Sequence, residues 1–126
     1  MAAPPPETTV AEWPAERVLP GATKGTMGVL RLTRDRCYFV PRRARFGRGR
    51  ATPEDEFSRY LRDVRSVEPR SFSMTIGYGD RLEIPGVAID GTEFRLGREL
   101  SGPSVVAAIA EARRAALRGT RDAGSP

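Results

Sequence analysis

Apolar and polar positions alternate with period two over most of this chain and switch to a helical period only near its end. Leu30 and Leu32 alternate with Val29, Arg31 and Thr33, which predicts a half-buried strand over residues 27–33. Thr33-Arg34-Asp35-Arg36 is polar and turn-like. Cys37-Tyr38-Phe39-Val40, ended by Pro41, predicts a second strand over 36–41. This hairpin is the element around which the rest is arranged. Upstream, residues 16–23 predict a short first strand broken at Pro20-Gly21, and Trp13, the only tryptophan, marks the start of the domain. Residues 1–12 are rich in Pro and Ala and are expected to be disordered.

Downstream, Phe57, Arg59 and Leu61 alternate with Ser58 and Tyr60, a strand over 56–61. Residues 64–72 predict another, with Pro69 marking an edge or a bulge. Gly77-Tyr78-Gly79-Asp80 reads as a turn. Residues 82–89 and 92–97 flank Asp90-Gly91, a strong hairpin signal, with Pro85-Gly86 expected to delay regular pairing until Val87. Val105, Val106, Ile109, Ala112, Ala116 and Leu117 then make one apolar stripe. Pro103 suits the first turn of that helix, Ser101 or Gly102 its cap, and Gly119 its end. The fold class is mainly β, about seven short antiparallel strands in a sandwich or open barrel capped by one C-terminal helix. A single domain over 13–118, with a loose tail over 119–126, suits the length of 126 residues.

Composition adds compartment and charge. No apolar run approaches the roughly 20 residues that cross a membrane, and the N-terminus lacks the pattern of a secretory signal. A lone Cys37 forms no internal disulfide. The expected location is the cytoplasm, with peripheral attachment to a membrane open. The net charge is +5, and Lys24 is the only lysine among 21 basic residues. Arg, Ala, Gly and Pro are abundant together, as GC-rich coding favours, so only local clustering of arginine carries meaning. Arg42, Arg43, Arg45, Arg48 and Arg50 fall in one loop with Phe46 among them, followed by Glu54-Asp55-Glu56. Such a loop suits acidic partners, although charge runs are often no more than solvated surface.

The chain has no histidine. That removes the commonest general base, the usual catalytic triads and the usual zinc ligands. No phosphate-binding glycine loop opens a helix. Cys37 reads as a core residue, and the acidic loop residues as solvated. No enzyme activity, cofactor or metal site is expected.

The motif residues resemble those of GRAM domains, within the pleckstrin-homology-like superfold and of the bacterial single-domain type. Gly28-Val-Leu30-Arg-Leu32-Thr33 followed by Arg36-Cys-Tyr-Phe39 resembles the family's GxLxLTxxRLxF core, with Cys37 in place of Leu. Leu61-Arg-Asp63-Val64-Arg-Ser-Val67 resembles its LxDIxxV segment, and Asp90-Gly91-Thr-Glu-Phe94-Arg-Leu96 its DGxxFxF hairpin, with Leu96 for the last Phe. The resemblance covers about residues 16–118. It implies a seven-stranded sandwich capped by a helix and a binding role without catalysis, toward phosphoinositides, acidic lipids or proteins. Leu30, Leu32, Phe39, Val64, Val67 and Phe94 would be core. The lipid-binding loop of such domains lies between the first two strands, here around Lys24, whereas the basic charge of this chain sits in the following loop.

The expected function is therefore a binding module that engages an acidic protein surface or anionic lipid headgroups through Arg42, Arg43, Arg45, Phe46, Arg48, Arg50 and Lys24. A second reading is an assembly protein that associates with itself or a partner through an exposed strand edge, with 64–72 as the candidate edge. Nucleic-acid binding is the weakest reading, since no row of exposed aromatics accompanies the charge.

Overall fold

The computed structural model describes residues 8–18, 25–42 and 57–124. Seven strands, β1 (Thr9–Arg17), β2 (Thr26–Thr33), β3 (Arg36–Pro41), β4 (Phe57–Tyr60), β5 (Val67–Ile76), β6 (Asp80–Ile89) and β7 (Thr92–Leu96), precede one helix, α1 (Gly102–Gly124). A short 3-10 turn, Leu61–Asp63, links β4 to β5. The strands form one sheet in the order β4-β3-β2-β1-β7-β6-β5, with every neighbouring pair antiparallel. The fold is mainly β with a C-terminal helix, as the alternation predicts.

The inner face of the sheet is the core. Leu30, Leu32, Cys37, Phe39, Phe57, Val87, Ile89, Phe94 and Leu96 are buried from it. The Phe94 ring sits between Phe39 and Phe57, at centroid distances of 5.6 and 5.1 Å. α1 lies over the opening and pushes Val105 and Ile109 into the core. Its first turn is capped by Ser101, whose hydroxyl accepts the Ser104 N–H. Arg113 anchors its middle by donating Nε–H to the Val64 carbonyl at 2.8 Å. The two ends of the sheet are tied through Asp90. Its Oδ1 accepts the N–H groups of Arg65 and Ser66 at 2.8 and 2.9 Å, and its Oδ2 lies 3.8 Å from Arg59 Nε on β4.

The hairpin over 27–33 and 36–41 is present within one residue, and Asp90-Gly91 makes its turn with φ of 49° and 85°. Five expectations are corrected. Leu61 leaves the strand expected over 56–61 for the 3-10 turn, and the strand expected over 64–72 runs over 67–76. The first strand lies over 9–17, not 16–23, so residues 9–12 belong to the sheet and are not disordered. Its inward positions are the small Ala11 and Ala15 and the ring of Trp13, which hide the alternation. Pro14 is tolerated because β7 pairs with β1 only from Ala15 onward. Pairing of β5 with β6 runs unbroken from Val67 opposite Ile89 to Ile76 opposite Asp80, through Pro85 and Gly86. Pro85 breaks no ladder bond, since β7 pairs with β6 only from Gly86 to Ile89. α1 continues past Gly119 to Gly124, since one exposed helical glycine costs only about 1 kcal/mol against alanine.

Candidate functional site

Of the residues expected to bind an acidic partner, Arg42 is described. It is exposed, and its N–H donates to the Met27 carbonyl at 2.7 Å, extending the β2–β3 ladder by one bond. Lys24, Arg43, Arg45, Phe46, Arg48 and Arg50 lie outside the described residues. Their neighbours locate the two loops. Gly25 follows Lys24 and Arg42 precedes Arg43, and the pairing of Gly28 with Pro41 puts both at one end of adjacent strands. The fold therefore brings together the attachment points of the loop that holds Lys24 and of the arginine-rich loop.

The opposite end of the sheet carries a feature that the sequence does not announce. Between the second half of α1 and the ends of β1 and β2 lies a groove of about 940 Å³. Its apolar surface comes from Val10, Ala11, Leu32, Ala108, Ala112, Ala115 and Ala116. Alanine builds it, because a larger residue at these helix positions would reach the strands and fill the space. Arg34, Asp35, Tyr60, Arg62 and Glu111 form its polar part.

These polar groups are held in place. Thr33 Oγ1 accepts the Arg36 N–H at 3.0 Å and lies 3.1 Å from Asp35 Oδ1, to which it can donate. The Asp35 carbonyl accepts the Leu61 N–H at 2.8 Å, fixing the β2–β3 turn against the 3-10 turn. Arg62 stacks over the Tyr60 ring at 5.4 Å. Glu111 is joined by Arg114 at 2.8 Å and Arg118 at 3.7 Å. The walls thus combine a preformed apolar floor with charges of both signs.

Reactive chemistry is sparse among the described residues. Cys37 is a buried free thiol, and burial pushes its pKa up to about 12, so it is neither a nucleophile nor a ready ligand. Among the described residues no group of three or more Cys, Asp and Glu could hold a metal ion, and no helix is long and apolar enough to cross a membrane. The arrangement suits non-covalent recognition of an apolar segment with charged flanks. The sign of the groove was out of reach from sequence, but the run of alanines on one face of a late helix was a usable signal for a close or open helix–sheet contact. In comparisons with known proteins, no family model, no curated protein and no solved structure matches the chain.

Proposed function

We propose that this chain is a non-enzymatic binding module of the GRAM or PH-like kind that engages an acidic protein partner. A segment of that partner seats its apolar side in the groove beneath α1. The groove carries this reading, because it joins a continuous apolar floor to a rim of Arg34, Arg62, Asp35 and Glu111. Mixed signs on the rim fit a peptide better than an anionic bilayer, which would meet Asp35 and Glu111 as like charges. An amphipathic helix lays its apolar stripe into a groove of this kind. The net charge of +5 and the arginine cluster that begins at the exposed Arg42 favour attraction of an acidic partner over distance. The strand order, with one helix after the last strand, supports the kinship drawn from the motifs.

The test is selection of peptides from a random displayed library against the full chain, followed by titration. Ala115 is exposed and lines the groove, so Ala115→Glu alters the site without touching the core. Selected peptides are expected to lose at least about tenfold in affinity, or 1.4 kcal/mol, against this variant. Replacing the arginines at 42, 43, 45, 48 and 50 by Ser is expected to weaken binding less and to flatten its salt dependence. Peptides indifferent to Ala115→Glu would remove the groove from the reading. Co-sedimentation with anionic vesicles, lost in the arginine variant, would replace the protein partner by a membrane surface.

A further inference from the structure

The alternation of the sheet reverses along the β5–β6 hairpin. Near Asp90, Val67, Val87 and Ile89 face the core while Glu68 and Arg70 face outward. Past Gly86 the polar Ser71, Ser73, Thr75, Arg81 and Glu83 take the core-side positions. Phe72, Met74, Ile76, Leu82 and Ile84 take the outer ones. No bulge intervenes, since the register is unbroken. Met74 and Ile76 are 41% and 47% exposed, and Tyr78 at the tip is fully exposed.

β5 is also a terminal strand of the sheet. The Ser66 carbonyl accepts the Asp90 N–H, so even-numbered residues of β5 turn their backbone groups toward β6 and odd-numbered ones turn them outward. The first half of this edge is guarded by Pro69, which has no N–H, between the charged Glu68 and Arg70. From Ser71 to Ile76 there is neither a charge nor a proline.

We propose that a second copy of this chain pairs antiparallel with residues 71–76 of β5, about a two-fold axis at Ser73. In this register Ser73 faces Ser73, and Ser71 of each copy faces Thr75 of the other. All three outward positions keep the N–H that the ladder needs, and Pro69 falls outside it. Phe72 comes to stand opposite Met74, which joins the two apolar stripes. Arg70 of each copy faces Ile76 of the other and stays with Glu68 and Glu93 of its own chain, so no like charges meet directly across the new ladder. A membrane is not the occupant that the charges favour, because Asp80 and Glu83 outnumber Arg81 over residues 71–84 of the hairpin.

The experiment is sedimentation of the full chain over a range of concentrations, with circular dichroism to check folding. The wild type is expected to dimerise. Ser73→Asp and Ser73→Lys each place like charges across the axis and are expected to sediment as monomers alone and as a dimer when mixed. Ser73→Pro removes an outward N–H that β6 does not use and is expected to abolish the dimer. A wild type that stays monomeric throughout overturns the proposal. So does a dimer that survives Ser73→Pro, or a mixture of the two charged variants that stays monomeric. None of these outcomes bears on the groove, which involves none of these residues.

Discussion

The ring of Phe72 lies over the backbone of Gly86 on the neighbouring strand, in the space where a side chain would stand. This contact sits where the outer face of the hairpin changes from polar to apolar. The ring also meets the Arg95 guanidinium at 5.4 Å, so it bridges the guarded and unguarded halves of β5 and β6. A Cβ at Gly86 would lie 2.6 Å from the Phe94 carbonyl oxygen, which belongs to the backbone of the next strand and has little room to give. Gly86→Ala is therefore expected to destabilise the fold by about 1–3 kcal/mol, as overpacking does. Urea denaturation of the variant checks this. Adding Phe72→Ala should restore only part of the loss, because removing the ring leaves the Phe94 carbonyl in place.

The core depends most on Phe94. It is fully buried between Phe39 and Phe57 and links β7 to β3 and β4 across the barrel. Phe94→Ala is expected to cost about 3–5 kcal/mol, with Phe94→Leu costing less because it leaves a smaller cavity. Chemical denaturation measures both, and a loss for the alanine variant under 1 kcal/mol would contradict the packing described.

Asp90 combines two tasks that can be separated. It adopts a left-handed φ of 49°, and its carboxylate closes the sheet by accepting two backbone N–H groups. Asn tolerates that φ and keeps one acceptor oxygen, while Ala does neither. Asp90→Asn is expected to lose less stability than Asp90→Ala, the latter by about 1–3 kcal/mol from unsatisfied donors. Hydrogen exchange at the Arg65 and Ser66 amides should accelerate most in the alanine variant.

The hairpin of β2 and β3 was legible because Leu30, Leu32 and Phe39 mark its inward face, and Asp90-Gly91 because both residues accept the positive φ of a tight hairpin turn. β1 was not legible. Its inward side chains at Ala11 and Ala15 are small, so burial there depends on the neighbours that the sheet supplies. The edge character of β5 was visible in Pro69. The reversal beyond it needed the register, since the same alternation in sequence serves either face. The arginine cluster was plain in the chain. The groove was not, because it arises only when α1 crosses the ends of β1 and β2, and Val10 and Ala11 fell in a stretch with no sequence signal of order.

Glu16 and Arg95 form a well-protected ion pair, at 2.6 Å with side chains only 21% and 18% exposed. Glu16 also accepts the Gly25 N–H through its second oxygen at 3.3 Å. The Glu12–Arg31 pair, at 3.0 Å, is more open, at 53% and 33%. A double-mutant cycle on Glu16 and Arg95 is expected to give a coupling of about 0.5–3 kcal/mol that changes little with salt. The same cycle on Glu12 and Arg31 should fall in the range of about 0.2–1 kcal/mol for exposed pairs and fade in salt. Equal salt sensitivity of the two would show that burial does not set their difference.

Cys37 provides a reporter of opening and a pH dependence of known sign. Its thiol is fully buried, and burial alone pushes its pKa from 9.0 up to about 12. Above pH 9 the unfolded chain loses this proton and the folded chain keeps it. The unfolded state then binds fewer protons, so stability falls as pH rises. The contribution is complete below pH 9 and is lost progressively toward pH 12. Cys37→Val removes this group while keeping the site apolar, so its melting temperature should fall less between pH 8 and about 10.5 than that of the wild type. A thiol-reactive dye should label the native protein at a rate set by unfolding, and immediately in denaturant. Equal alkaline losses in wild type and variant, or fast labelling of the native protein, would place the thiol at the surface and contradict the core described here.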